Sequence, residues 1–140
     1  MSQPCRSGAV CGRQVAEALV AEQSEPDRLA EIRQRLNTFV RDRDWEQFQS
    51  PKNLVMALTG ELGELAEHFQ WLTSEQSRAL DEDRLNEVCD EVADVQIYVL
   101  LLTERLGIDL LDAVERKIDK NEQKYPVELA HGNARKYTDL

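Results

Sequence analysis

Apolar residues recur along the chain in steps of three and four. Leu29, Ile32, Leu36, Phe39 and Val40 fall on one side of a helix expected from about Asp27 to Asp42, after a Ser24–Pro26 start signal, because an α-helix turns every ~3.6 residues. The pattern then breaks at Asp44-Trp45-Glu46-Gln47-Phe48-Gln49, which delivers two aromatics into a connecting segment. Ser50 and Pro51 restart it as an N-cap and a first helical residue, since a serine hydroxyl accepts from an otherwise unpaired N–H and proline needs no donor there.

The second helix is expected from Pro51 to about Leu72, with Leu54, Leu58, Leu62, Leu65, Phe69 and Leu72 on one stripe. A second stripe runs through Ala57, Glu61, Glu64, His68 and Trp71, so two carboxylates and an aromatic share a direction. A third helix is placed from about Asp83 to Leu106 and stopped by Gly107. Between Val92 and Leu102 it is apolar nearly all round, the mark of a helix buried on most sides. Asp109 caps a fourth, whose Leu110, Leu111, Val114 and Ile118 are expected to face inward until Tyr125-Pro126 ends it.

With 6 glycines and 4 prolines in 140 residues, turns are too few for many short strands. The pattern therefore reads as all-α, four antiparallel helices or two pairs in a four-helix-bundle-like fold. Residues 1–25 read as a flexible N-terminal extension, 26–126 as the helical domain and 127–140 as a tail without clear period.

A formal charge of -10 argues against an extended basic face for a nucleic acid polymer. A free nucleotide is different, because it arrives with divalent cations that carboxylates hold. No apolar run approaches the ~20 residues of a membrane span. Cys5, Cys11 and Cys89 form no C-x-x-C pair, and their odd number fits a reducing, cytoplasmic setting better than a disulfide framework.

Glu61 and Glu64 stand three apart on the second helix, and Glu91 and Asp94 three apart on the third. Each pair puts its carboxylates on one face, with Cβ atoms ~5–6 Å apart. One such pair is an ordinary solvated helix face. Asp94, however, lies in the most apolar stretch of the chain, where an ionised carboxylate is unfavourable unless paired or bound to metal. Two opposed acidic faces make an oxygen cage suited to Mg2+, with Mn2+ as a substitute, rather than to zinc or copper. His68 follows Glu64 by four residues, so the Glu-x-x-His spacing of a di-iron site is absent, and His68 and Cys89 read as structural.

The run Gly60-Glu61-Leu62-Gly63-Glu64-Leu65-Ala66-Glu67, followed by Glu91-Val92-Ala93-Asp94-Val95, resembles the E-x-x-E and E-x-x-D signature of the all-α NTP pyrophosphohydrolases, the MazG-like superfamily. Arg43-Asp44-Trp45-Glu46-Gln47-Phe48, Phe69-Gln70-Trp71, Ile97-Tyr98, Lys124-Tyr125-Pro126 and Arg135-Lys136-Tyr137 are most similar to its dCTP pyrophosphatase branch. The likeness runs from Leu29 to Leu140, and its strength is that all the motifs occur in order.

The resemblance implies a Mg2+-dependent hydrolysis of a (d)NTP, dCTP or a modified dCTP, to the monophosphate and pyrophosphate, as nucleotide-pool housekeeping. Glu61, Glu64, Glu91 and Asp94 match the magnesium ligands. Trp45, Glu46, Gln47, Phe48, Gln49, Trp71 and Tyr98 match positions lining the pocket for base and sugar, and Lys117 and Asn121 fall where the fourth helix approaches the phosphates. Some vertebrate members carry a histidine where this chain has Leu36. The resemblance also implies a homodimer or homotetramer with active sites near subunit interfaces. Two other readings stand beside it: a non-catalytic acidic helical interaction module, and a dUTPase or phosphoribosyl-ATP type pyrophosphohydrolase of the same superfamily.

Overall fold

Local capping chemistry sets where the helices begin. Ser50 Oγ accepts from Asn53 N–H at 3.3 Å, Asp81 Oδ1 from Arg84 N–H at 2.8 Å, and Asp109 Oδ1 from Asp112 N–H at 3.1 Å. The computed structural model describes residues 25–139, so the expectation for 1–24, with Cys5 and Cys11, lies outside the described residues. The described elements are α1 (Glu25–Arg41), α2 (Pro51–Glu67), α3 (Glu82–Leu106), α4 (Leu110–Lys124) and the short α5 (Val127–Ala130). Single 3₁₀ turns lie at Glu46–Phe48, Gln76–Arg78 and Tyr137–Asp139. No strand occurs among the described residues, as the all-α reading expects.

Gly107 closes α3 at φ 63, the left-handed conformation that a side chain disfavours, and its N–H reaches back to the carbonyls of Thr103 and Glu104. By contrast, α2 ends at Glu67, a turn earlier than its apolar stripe implied. The N–H groups of Phe69 and Gln70 both converge on Ala66 O at 3.0 Å, which tightens the chain and halts the helical ladder with no glycine or proline to announce it.

α2 and α3 run antiparallel and form the main packed pair, with α1 laid against α3. Val40, Leu54 and Leu101, one from each helix, make the buried core, and Leu36, Ile97, Tyr98 and Leu102 pack around it.

Two expectations are corrected here. α3 is not buried on most sides: Val88, Leu100, Leu101 and Thr103 are buried, whereas Val92 is 50% exposed and Asp94 is exposed. The reason is that, among the described residues, only α1 and α2 cover it substantially. Nor does α4 turn its apolar side into its own chain. Leu111, Val114 and Ile118 are 47%, 47% and 51% exposed, so the single chain does not close a four-helix bundle.

Candidate metal centre and adjoining cavity

Because α2 and α3 run antiparallel, the two acidic pairs meet face to face. Glu61, Glu64 and Glu91 each offer a carboxylate oxygen within 4.8 Å of the others. Asp94 stands outside this cluster of three, yet it faces the same region, since its charge acts on both Glu61 and Tyr98. Burial pushes the Glu61 carboxyl above its ordinary value, and the neighbouring Glu64, Asp94 and Glu91 push it further. The Tyr98 phenol is likewise raised, first by burial and then by Glu61 and Asp94.

This donor set fits a hard divalent cation. It is all oxygen, and the recorded ion pairs among the described residues bring no Lys or Arg to it. Glu91 Oε2 is also buried without any hydrogen-bond partner. An anionic oxygen closed off from water is unfavourable unless a cation compensates it.

Glu61 and Asp94 open onto a cavity of about 1100 Å³. α1 and the segment after it contribute Leu36, Phe39, Val40 and Trp45, and α3 adds Ile97, Tyr98 and Leu101. Phe39 and Trp45 meet edge to face, centroids 5.8 Å apart at 80°. Arg43 lies over the Phe39 ring at 3.7 Å and donates to Phe39 O at 3.0 Å, so its guanidinium braces the aromatic wall.

The sequence-derived candidates divide accordingly. Trp45, Gln49 and Tyr98 line the cavity, but Glu46, Gln47 and Phe48 do not. Gln47 Nε2 is instead held by Asp44, donating to its backbone O at 3.0 Å and to Oδ2 at 2.7 Å, and Phe48 is exposed. Trp71 is 86% exposed and off the cavity, because the early end of α2 removes it from the carboxylate stripe. Lys117 and Asn121 stand on exposed α4 and do not reach the cavity within the chain.

The family resemblance singled out the Leu36 position, which does line the cavity, whereas sequence reasoning gave Phe39 only to a core stripe and missed Leu101, Arg35 and Arg43 as cavity walls. The nearness of Phe39 to the Trp45 segment was the available signal.

The sequence model of the MazG-like family matches residues 57–140, a span holding all four acids. The chain is 45% identical over 119 residues to dCTP pyrophosphatase 1 of Bos taurus, covering 84% of this chain and 70% of that one. For the Mus musculus and Homo sapiens proteins of the same name it is 46% and 43% identical over 114 residues, each covering 80% of this chain and 67% of the other. A crystal structure of a pyrophosphatase from Archaeoglobus fulgidus superposes with a TM-score of 0.66 at 37% identity, covering 78% of this chain and 99% of that one.

Proposed function

The chain belongs to the MazG-like family, and on that premise we propose that it hydrolyses dCTP to dCMP and pyrophosphate. The observation that carries this reading is the 43–46% identity to dCTP pyrophosphatases over at least four-fifths of the chain. The carboxylate cluster beside an aromatic cavity supports it. The same identity favours dCTP over the dUTPase and phosphoribosyl-ATP types.

Glu61, Glu64 and Glu91 are the residues that would hold Mg2+, with Asp94 beside them. When bound, the cation supplies positive charge against the triphosphate oxygens and the developing charge of transfer. The reaction joins a water oxygen to the α-phosphorus and breaks its bond to the bridging oxygen, so that pyrophosphate leaves. Glu61 and Asp94, which line the cavity, orient that water through its hydrogen bonds, and one of these carboxylates takes the proton it loses as the new bond forms. Trp45 and Phe39 provide a face on which the base stacks while Leu36, Ile97 and Leu101 exclude water.

Self-association completes this reading. The open apolar side of α4 is what a second copy would cover, and assembly would let Lys117, Asn121 and Trp71 serve the site of a neighbouring subunit. No described helix is long and apolar enough to cross a membrane, and a cytoplasmic role in nucleotide-pool housekeeping accords with an odd number of cysteines and no C-x-x-C pair in the sequence. Pyrophosphate release from a panel of dNTPs, with Mg2+ or Mn2+, tests the proposal: dCTP should be cleaved most efficiently. A chain inert toward every nucleotide with either ion would return the acids to an interaction module.

A further inference from the structure

Two cations line the cavity among the described residues, and they are differently employed. Arg35 and Arg43 stand there with the carboxylates of Glu31, Asp42, Glu61 and Asp94. Arg43 is engaged, its guanidinium over the Phe39 ring at 3.7 Å and donating to Phe39 O at 3.0 Å. Arg35 is exposed, and no hydrogen bond or ion pair holds its side chain among the described residues.

The course of α1 sets where Arg35 stands. Val40 and Leu101 meet in the core beside Leu54, and from there the cavity wall runs back along α1 to Glu31 and back along α3 to Asp94. Trp45 belongs to the Val40 level, since its N–H donates to Val40 O at 3.0 Å, and it holds Phe39 edge to face. Arg35 precedes Val40 by five residues and Asp94 precedes Leu101 by seven, which along two helices is a rise of roughly 7.5 Å and 10.5 Å. Arg35 is therefore displaced from the aromatic end of the cavity toward the acidic end.

We infer that Arg35 binds the β- and γ-phosphates of the nucleotide, the part that leaves as pyrophosphate, which rests on the dCTP reading above. A planar guanidinium offers two parallel N–H donors to a pair of phosphate oxygens. The carboxylates at the acidic end repel the same oxygens, so a cation on the facing helix favours a phosphate chain lying between α1 and the acids. As the bond from the α-phosphorus to the bridging oxygen breaks, its electron pair stays on that oxygen and departs with pyrophosphate, so Arg35 meets more charge then than in the bound substrate. Within a single chain Lys117 and Asn121 do not reach this cavity, whereas Arg35 does.

The test separates the terminal phosphates from the rest of the nucleotide. Titration calorimetry with Mg2+ compares the α,β-imido analogue of dCTP, which carries those phosphates, with dCMP, which lacks them, on the wild-type chain, Arg35→Met and Arg35→Lys. The wild type should bind the analogue more tightly than dCMP. Arg35→Met should weaken the analogue roughly tenfold and dCMP by no more than about twofold, and should lower kcat/KM for dCTP by roughly tenfold or more. Because the side chain is exposed, the melting temperature should stay within about two degrees of wild type. Arg35→Lys keeps the charge without the paired donors and should fall between. If Arg35→Met does not fold, Arg35→Lys decides by the same comparison. Both ligands weakened equally, or neither weakened, overturns the inference and leaves the dCTP reading intact. A wild-type chain that cleaves dCTP yet binds the analogue no better than dCMP does the same. A wild-type chain that cleaves no nucleotide overturns both.

Discussion

His68 Nδ1 stands 3.6 Å from Glu87 Oε2, joining the residue that ends α2 to the early part of α3. Glu64 precedes His68 by one helical turn and Glu91 follows Glu87 by one, so the contact spans the two helices beside both acidic pairs. With Glu87 largely exposed it stabilises the fold by less than ~1 kcal/mol. His68→Ala should therefore shift the melting temperature by only a few degrees. Its sharper effect should be on metal affinity, weakening Mn2+ binding up to about fivefold in titration calorimetry. An unchanged affinity would show that this contact has no part in spacing the acids.

Glu64 and Asp94 are both exposed, so Glu64→Gln and Asp94→Asn should fold normally, with stability within ~0.5 kcal/mol of wild type. Each should lower pyrophosphate release from dCTP by roughly a hundredfold or more, since each removes a charge from the reacting region. Steady-state rates alongside circular dichroism check both halves. Full activity in Asp94→Asn would remove that residue from the site.

Stability without metal should fall with rising pH on account of Glu61. Its folded-state pKa is raised, chiefly by burial and then by Glu64, Asp94 and Glu91, so the folded chain holds this proton more tightly than the unfolded chain. The destabilisation is absent below the ordinary glutamate range and complete once pH has passed the raised value. Glu61→Gln cannot ionise. In EDTA its melting temperature relative to wild type should therefore climb as pH rises from the ordinary glutamate range. A difference independent of pH would contradict the crowding of charge around Glu61.

Metal and nucleotide should stabilise the chain in steps. Thermal melts in EDTA, with Mg2+, and with Mg2+ plus an α,β-imido analogue of dCTP should rise in that order, because ligands that bind only the folded state stabilise it, by ~2.7 kcal/mol at a hundredfold excess over Kd. Three superimposed curves would count against a metallo-nucleotide site. The steps should vanish in the Glu64→Gln, Asp94→Asn double variant.

The two tryptophans should behave differently in mixed assemblies. Trp45 lines the cavity against Phe39, so Trp45→Ala should raise KM for dCTP roughly tenfold with kcat little changed. Trp71 lies off the cavity of its own chain. If it serves a neighbouring subunit, mixing Trp71→Ala with inactive Glu64→Gln chains restores low-KM turnover in some sites. No restoration on mixing, with KM raised in Trp71→Ala alone, would place its action within one chain.

Short-range chemistry was legible in the sequence. Ser50-Pro51, Gly107 and Asp109 marked helix ends correctly, because capping and left-handed backbone depend on residues within a turn of one another. The spacing of Glu61 with Glu64 and of Glu91 with Asp94 likewise determined that each pair shares a helix face. What covers a helix, or reaches a side chain through space, is decided by parts of the chain distant in sequence. Apolar composition around Asp94 could not reveal that α1 and α2 leave this residue open, and the stripe on α4 could not say whether its own chain or another copy would cover it. The early end of α2, which sets Trp71 aside from the acids, came from two N–H groups converging on one carbonyl, with no residue type to signal it. The resemblance already set Gln49 in the pocket, but only the tertiary structure left its Oε1 buried and unpaired, because hydrogen-bond satisfaction is a property of a place in space, and residues far apart in the chain make that place.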